Sequence, residues 1–236
     1  MIIMVRRTSI LLVVLICILS YMTFNLCTEA DVPAIALPTS NRVIMIDAGH
    51  GGIDGGATGQ SGVMEKDINL SIALKLQTLI EHSGGIVVIT RADDRSIHDE
   101  DKTTIRAKKV SDLKNRKAMI TESQADVFIS IHLNKFEQPQ YFGAQVFYST
   151  TNEKSKTLAS FIQKELVDNL GDGNRRDIKP APKEIFILRD VAIPAVIVEC
   201  GFLSNPEEER KLQNEQYQQK IAWNIYVALM KYFNNM

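Results

Sequence analysis

Four side chains capable of metal binding or acid–base chemistry stand at the ends of predicted strands or at the start of a predicted helix. His50, His132 and Glu199 each close or follow an apolar strand, and Glu65 stands where a helix begins. Because the carboxyl ends of parallel strands meet at one edge of an open α/β sheet, these groups are expected to converge there. Two imidazoles and one carboxylate with an open fourth position match a catalytic zinc site, whereas magnesium or calcium would prefer oxygen ligands.

The remaining carboxylate completes a hydrolytic site. Zinc lowers the pKa of a coordinated water to about 7, and a carboxylate that is not bound to the metal can accept a proton and pass it to a leaving amine. Glu199 suits this role because it follows the apolar strand residues 195–198 and has no nearby basic residue in the sequence. The four side chains therefore predict metal-assisted hydrolysis of an amide.

Each of these residues also has a purely structural interpretation. A histidine after a strand more often makes a structural hydrogen bond, and a glutamate at a helix start can act on the helix dipole alone. Glu199 could be one half of a structural ion pair. Asp47, just before the glycine turn that carries His50, either orients His50 or caps the turn, and the sequence leaves both roles open. Taken together, His50, Glu65, His132 and Glu199 favour the chemical interpretation.

The elements that position these side chains alternate between strands and helices. The glycines around His50 permit a sharp, partly left-handed turn after the first strand. Strands are predicted at 43–47, 86–90, 126–133, 143–149, 184–189 and 195–199, and helices at 65–82, 102–124, 154–170, 206–214 and 216–233. The pattern predicts an α/β three-layer sandwich, with a mostly parallel twisted sheet flanked by helices.

The polar connections between these elements are expected to face water. Residues 91–101 read as a polar loop, and the charges of helix 102–124 are expected to be solvated. The formal net charge of -1 gives no reason to expect a nucleic-acid partner. Only Cys200 of the three cysteines belongs to the predicted domain, so no disulfide is expected within it.

The N-terminus carries a different signal. Arg6 and Arg7 precede an apolar run from Ile10 to about Leu26. This length is close to the roughly 20 residues of a membrane helix and exceeds the roughly 7–15 residues of a secretory apolar region. Basic residues before the run predict that the chain beyond it is exported. We predict a membrane helix acting as a signal-anchor or signal peptide at 1–27, a linker at 28–41 and a catalytic domain at 42–236. An anchored extracytoplasmic form is favoured over a cleaved, secreted form.

Four short motifs run through the predicted domain: DAGHGG at 47–52, EKD at 65–67, SIHLN at 130–134 and ECGFLSN at 199–205. In content and order they resemble the signatures of zinc-dependent N-acetylmuramoyl-L-alanine amidases. The resemblance implies that His50, Glu65 and His132 bind one zinc ion and that Glu199 is the catalytic carboxylate. It makes Asn134 a candidate substrate-binding residue. It also implies that the substrate is peptidoglycan, cleaved between the lactyl group of muramic acid and the L-alanine of the stem peptide.

The domain organisation of the chain indicates a particular subgroup of this family. One catalytic domain behind one apolar segment, with Gly143-Ala144-Gln145 before the fourth strand, is similar to the germination-specific amidases of endospore formers. That likeness implies removal of stem peptides as a step towards muramic-δ-lactam in the spore cortex. It also implies a location in the intermembrane space of the spore.

Two alternatives remain at this level: a zinc peptidase of another bond specificity, and a cell-wall-binding relative without catalysis. The metal site alone does not separate the peptidase from the amidase. A further hypothesis concerns regulation. With three protein ligands and a glycine-rich loop beside them, metal occupancy is hypothesised to depend on substrate or on a regulatory protein partner that orders the site.

Overall fold

The computed structural model describes residues 7–28, 37–171 and 173–236. The chain divides into two units, 1–35 and 36–236. The first contains helix α1, Arg7–Thr28. Arg6 and most of the predicted linker, residues 29–36, lie outside the described residues. Within the described ranges no helix combines the length and the apolar character needed to cross a membrane, and the predicted membrane helix is not confirmed.

The second unit alternates strands and helices, as the sequence predicts. Its strands are β1 Val43–Ala48, β2 Ile86–Ile89, β3 Val127–Asn134, β4 Gln145–Tyr148, β5 Lys179–Pro180 and β6 Ala195–Phe202. Its helices are α2 Glu65–His82, α3 Ile105–Glu122, α4 Lys154–Leu170, α5 Pro206–Leu212 and α6 Glu215–Asn234.

The six strands form one mixed sheet in the order β2-β1-β3-β6-β4-β5. Four of the five pairings are parallel, and only β4 runs antiparallel to its neighbour β6. This confirms the prediction of an α/β fold with a mostly parallel sheet. As a result, β1, β3 and β6 end side by side at the same edge of the sheet.

Helices cover both faces of the sheet. Alternate residues of the strands point to opposite faces, so Ile44 and Ile46 pack with α2, α4 and α6, whereas Met45 and Phe128 pack with α3 and the turn at 186–188. Both faces of the central strands are therefore buried, which explains why these strands read as continuous apolar runs.

The strand predicted at 184–189 is wrong. This segment forms a turn and a 3-10 helix, Phe186–Leu188, with the amide of Ile185 donating to the carbonyl of Pro182. Ile187 and Leu188 fill the core beside α3, so the apolar run anchors a loop and pairs with no strand. The edge strand is instead β5, two residues long, in the segment between α4 and this 3-10 helix.

Candidate metal centre

His50 occupies a strained backbone position at the end of β1. The strand ends at Ala48, and His50 has a φ of 62°, in the left-handed region that residues other than glycine rarely adopt. Such a conformation persists only where surrounding contacts fix it. The contacts that fix this turn come from two buried arginines.

Arg116 of α3 and Arg91, which follows β2, donate hydrogen bonds to the carbonyl groups of the turn. Arg116 Nη2 lies 2.6 Å and Arg91 Nε 2.7 Å from the carbonyl oxygen of His50. Arg116 Nη1 lies 2.8 Å from that of Ala48, and Arg91 Nη2 3.0 Å from that of Gly49. Both side chains are buried. The two guanidinium groups therefore hold the turn from its carbonyl side.

Asp47 supports the turn indirectly, through Arg116. Its buried carboxylate accepts hydrogen bonds from Arg116 Nη1 at 2.6 Å, from Thr90 Oγ1 at 2.8 Å and from Ser130 Oγ at 2.5 Å. Burial opposes ionisation of this carboxyl group, but Arg116, His132 and Ser130 together outweigh it and hold the pKa of Asp47 below its usual value. Of the two roles left open by the sequence, the contacts support orientation of His50, exerted on its backbone.

The three predicted metal ligands meet at the edge of the sheet. Glu65, the first residue of α2, places Oε1 3.2 Å from His50 Nε2 and 3.0 Å from His132 Nδ1. One ligand atom from each residue lies within 4.8 Å of the others. The two imidazole rings are edge-on, 5.0 Å apart. The structure thus brings together residues separated by up to 82 positions in the chain.

Two glycines leave the room that these side chains need. A Cβ atom on Gly49 would lie 2.4 Å from the His132 ring. A Cβ atom on Gly56 would lie 2.6 Å from Glu65 Oε2 and 2.7 Å from the His50 ring. The backbone at Gly49 and Gly56 therefore lies so close to His50, Glu65 and His132 that only glycine fits at these two positions. Two nitrogen donors and one carboxylate in such a cradle fit a divalent metal of zinc type.

The electrostatics of the trio suit a cation. Burial opposes charge on His50, but hydrogen bonds to Asp54 and Glu65 outweigh it and raise the pKa of His50 to about 9. Burial likewise opposes ionisation of Glu65, yet the two histidines lower its pKa below the usual range. In the metal-free protein, a proton is shared between the imidazole of His50 and the carboxylate of Glu65. A metal cation that binds to these two groups would displace this proton.

Asp54 orients His50 and was missed at the sequence level. Its Oδ2 accepts a hydrogen bond from His50 Nδ1 at 2.8 Å, which leaves Nε2 directed towards Glu65. Its Oδ1 forms an ion pair with Lys109 of α3 at 2.7 Å. Metal-binding histidines usually donate their second ring nitrogen to such a carboxylate. The signal in the sequence is the spacing: an acid four residues after the histidine, in the same glycine loop.

Glu199 lies next to this trio on the adjacent strand. It pairs in register with His132, so both side chains project from the same face of the sheet. Glu199 is partly buried, and its Oε2 is fully buried with no hydrogen-bond partner. Burial raises the pKa of Glu199 to about 7; His132 opposes this shift and Glu65 adds to it. A carboxyl group that titrates near neutrality can both accept and donate a proton.

Asn134 lies at the end of β3, beyond a shift of register between residues 132 and 134. Its Oδ1 accepts a hydrogen bond from the amide of Lys135 at 2.9 Å, and its carbonyl accepts one from the amide of Leu203 at 2.9 Å. The contact with Leu203 joins β3 to the turn after β6. A role for Asn134 in substrate binding stays a prediction.

Three metal-capable side chains with a neighbouring, unpaired carboxylate oxygen at the carboxyl edge of an α/β sheet are typical of metal-dependent hydrolases. Residues 44–231 match the N-acetylmuramoyl-L-alanine amidase family Amidase_3, and the chain belongs to this family. The resemblance drawn from the sequence motifs is thereby confirmed.

Relatives and solved structures agree with this assignment. The germination-specific N-acetylmuramoyl-L-alanine amidase of Bacillus subtilis (strain 168) is 36% identical over 198 residues, which cover 84% of this chain and 82% of that protein. The CwlD amidase of Clostridioides difficile, solved in complex with the GerS lipoprotein, is 49% identical with a TM-score of 0.80. That match covers 83% of this chain and all of the solved chain. An N-acetylmuramoyl-L-alanine amidase of Clostridium difficile 630 is 33% identical, with a TM-score of 0.70, covering 83% and 98% of the two chains.

The Asp54–His50 contact predicts a loss of metal affinity in Asp54→Asn. The amide keeps the shape of the carboxylate but removes the charge that fixes the ring of His50, so zinc affinity should fall about 10- to 100-fold. Isothermal titration calorimetry measures this. Asp168→Asn is the matched control, because Asp168 also pairs with a lysine, Lys164, but on the exposed surface of α4. Equal affinities of Asp54→Asn and wild type would contradict the assigned contact.

The raised pKa of Glu199 predicts a pH-dependent stability difference in metal-free protein. Between its unfolded value of 4.5 and its folded value of about 7, the folded state binds more protons, so stability falls as the pH rises through this window. Glu199→Gln does not titrate, so its stability does not fall in this way. The free energy of unfolding of Glu199→Gln relative to wild type should therefore rise by about 1–3 kcal/mol from pH 5 to pH 8.

Denaturant unfolding with a chelator at both pH values measures this difference. Glu207→Gln serves as the control, because Glu207 is exposed and its pKa is lowered by Lys211. The same offset between Glu199→Gln and wild type at pH 5 and pH 8 would show that Glu199 does not titrate in this range.

Proposed function

We propose that this protein hydrolyses the amide bond between the lactyl group of N-acetylmuramic acid and the L-alanine of the stem peptide, using one zinc ion held by His50, Glu65 and His132. The observation that carries the proposal is the pairing of this trio with the partly buried, unpaired carboxylate of Glu199 on the neighbouring strand. Membership of the amidase family supplies the substrate class, peptidoglycan, and disfavours both a peptidase of other specificity and a non-catalytic relative.

The donor set supports zinc over magnesium or calcium, since two of the three ligands are imidazoles. Bound zinc supplies Lewis-acid polarisation of the amide carbonyl and a lowered pKa for water. The residues of the chain supply the rest. Glu199 takes a proton from the attacking water and returns one to the alanine nitrogen as the carbon–nitrogen bond breaks, which leaves a lactyl carboxylic acid and a free amine. Asp54 and Lys109 keep His50 in its binding orientation.

A role in spore formation is supported by the relatives. Both the germination-specific amidase of Bacillus subtilis and the CwlD amidase of Clostridioides difficile support a function in the spore cortex. Removal of the stem peptide frees the lactyl carboxyl group that a lactam ring requires. We therefore place the reaction before formation of muramic-δ-lactam.

A protein partner and an extracytoplasmic location are part of the same proposal. The CwlD structure contains the GerS lipoprotein, which supports a protein partner for this chain. We propose that such a partner regulates the enzyme by ordering the metal site. Peptidoglycan lies outside the cytoplasmic membrane, so the enzyme must be exported. The basic residues Arg6 and Arg7 before the apolar run 10–26 support export through this segment, with retention at the membrane.

The proposed roles predict different effects of Glu199→Gln and His50→Ala on turnover and on zinc binding. Glu199→Gln should lose at least about 100-fold in turnover yet keep zinc, because it removes proton transfer and no ligand. His50→Ala should lose both. Digestion of purified peptidoglycan with zinc, followed by mass spectrometry, measures turnover, and Glu207→Gln serves as the exposed control. The expected product is a stem peptide with a free N-terminal alanine. A different new terminus, or full activity in Glu199→Gln, would contradict the proposal.

A further inference from the structure

A cleft with two arginines and two aromatic side chains opens near the start of β4. Arg175 and Arg176, from the segment after α4, line it together with Tyr141 and Phe142, from the loop before β4. None of these residues belongs to the metal centre or takes part in the proton transfer by Glu199. Their chemistry suits a ligand that carries negative charge.

The hydrogen bonds place this cleft next to Glu199. Gln145 of β4 pairs in register with Glu199 of β6, and partners in an antiparallel pair project from the same face of the sheet. Arg176 Nη1 donates a hydrogen bond to Gln145 Oε1 at 3.1 Å. A single side chain, Gln145, therefore separates Arg176 from the catalytic carboxylate.

Arg176 is held in one orientation. Its guanidinium group lies over the ring of Phe202, 4.5 Å from the centroid, and its Nε donates to the carbonyl of Phe142 at 2.7 Å. Its own carbonyl accepts a hydrogen bond from Gln163 of α4 at 3.0 Å. Gln145 Nε2 binds the next carbonyl, that of Asp177, at 2.8 Å. The head group is thus fixed before any ligand arrives, which lowers the entropy cost of binding.

In the described part of the chain, Arg176 lacks the ion-pair partner that a guanidinium group normally has. Among the described residues, no carboxylate forms an ion pair with Arg175 or Arg176. Arg116, by contrast, pairs with both Asp47 and Asp112. A guanidinium group presents five N–H donors in a planar fork that matches a carboxylate. Arg176 uses Nε and Nη1 in hydrogen bonds within the protein and keeps further donors for a ligand.

We propose that this cleft binds a carboxylate of the stem peptide, with Arg176 as the main contact, and so selects acidic stem peptides. The proposal rests on the proposed function, because a substrate whose lactyl–alanine amide lies at Glu199 extends its peptide along the same edge of the sheet. Arg176 is then a specificity-determining residue: it contacts the peptide part of the substrate and leaves the bond-breaking step to Glu199.

The test compares two soluble muramyl peptides that differ only in whether one stem carboxyl group is free or amidated. Wild type should cleave the acidic form with a KM about tenfold lower than that of the amidated form, as expected for hydrogen bonds to a charged group. Arg176→Gln should raise KM for the acidic form about tenfold, leave kcat within about twofold, and show no preference. Arg189→Gln is the matched control, because Arg189 also stacks on an aromatic ring, that of Phe186, and lines a different cavity.

Two further measurements make each outcome decisive. Calorimetry of the acidic peptide without its sugar tests binding independently of cleavage: wild type should bind it and Arg176→Gln should not. If wild type cleaves neither muramyl peptide but binds the acidic one, the proposed function is wrong, whereas binding of the acidic peptide by the cleft is supported. Arg176→Lys keeps the charge and loses the fork, so it should recover only part of the preference if the fork contacts the ligand.

Three results would overturn the proposal. The first is an unchanged preference for the acidic form in Arg176→Gln. The second is an equal loss of kcat for both substrates at constant KM, which would indicate a structural role. The third is weaker binding of a purified lipoprotein partner by Arg176→Gln with KM for both peptides unchanged, which would make the cleft a protein interface.

Discussion

The buried ion pair between Asp47 and Arg116 is the interaction on which the candidate metal centre depends. Arg116 joins the end of β1 to α3 and holds the carbonyl of His50, whose backbone would otherwise leave the left-handed region. Removing one partner of such a pair typically costs about 3–5 kcal/mol, because the other charge stays buried. The same helix supplies Lys109, which binds Asp54 and through it the ring of His50. Helix α3 therefore fixes both the backbone and the side chain of His50, a proposed metal ligand, without contributing a proposed ligand itself.

The order of the strands in the sheet determines the order in which the candidate functional side chains lie along its edge. Strands β1, β3 and β6 lie side by side and run parallel, so His50, His132 and Glu199 follow one another along a single edge. The antiparallel strand β4 continues this row with Gln145. The proposed metal ligands, the proposed proton-transfer group and the proposed peptide contact at Arg176 thus occupy successive positions. A substrate with a reacting amide and an acidic peptide would require this order.

Much of this arrangement is readable from the sequence, because apolar strands that end on a histidine or an acid carry a strong signal. The errors have physical causes. The run at 184–189 has the composition of a strand, but it fills the core as a 3-10 turn, and periodicity cannot tell these apart. Arg91 and Arg116 lie in segments expected to be solvated, yet both are buried because they bind carbonyl groups distant in the chain. Such pairings depend on tertiary structure, which the charge pattern of one segment does not contain.

We infer that side chains from the end of β1, the start of α2 and the end of β3 form one metal site. Anomalous X-ray diffraction at the zinc absorption edge, on crystals of the zinc-loaded protein, tests it most directly. We expect a single peak per chain, within about 2.0–2.2 Å of one nitrogen each of His50 and His132 and of a carboxylate oxygen of Glu65. A peak bound by other residues, or zinc ligated by Glu199 in place of Glu65, would contradict it.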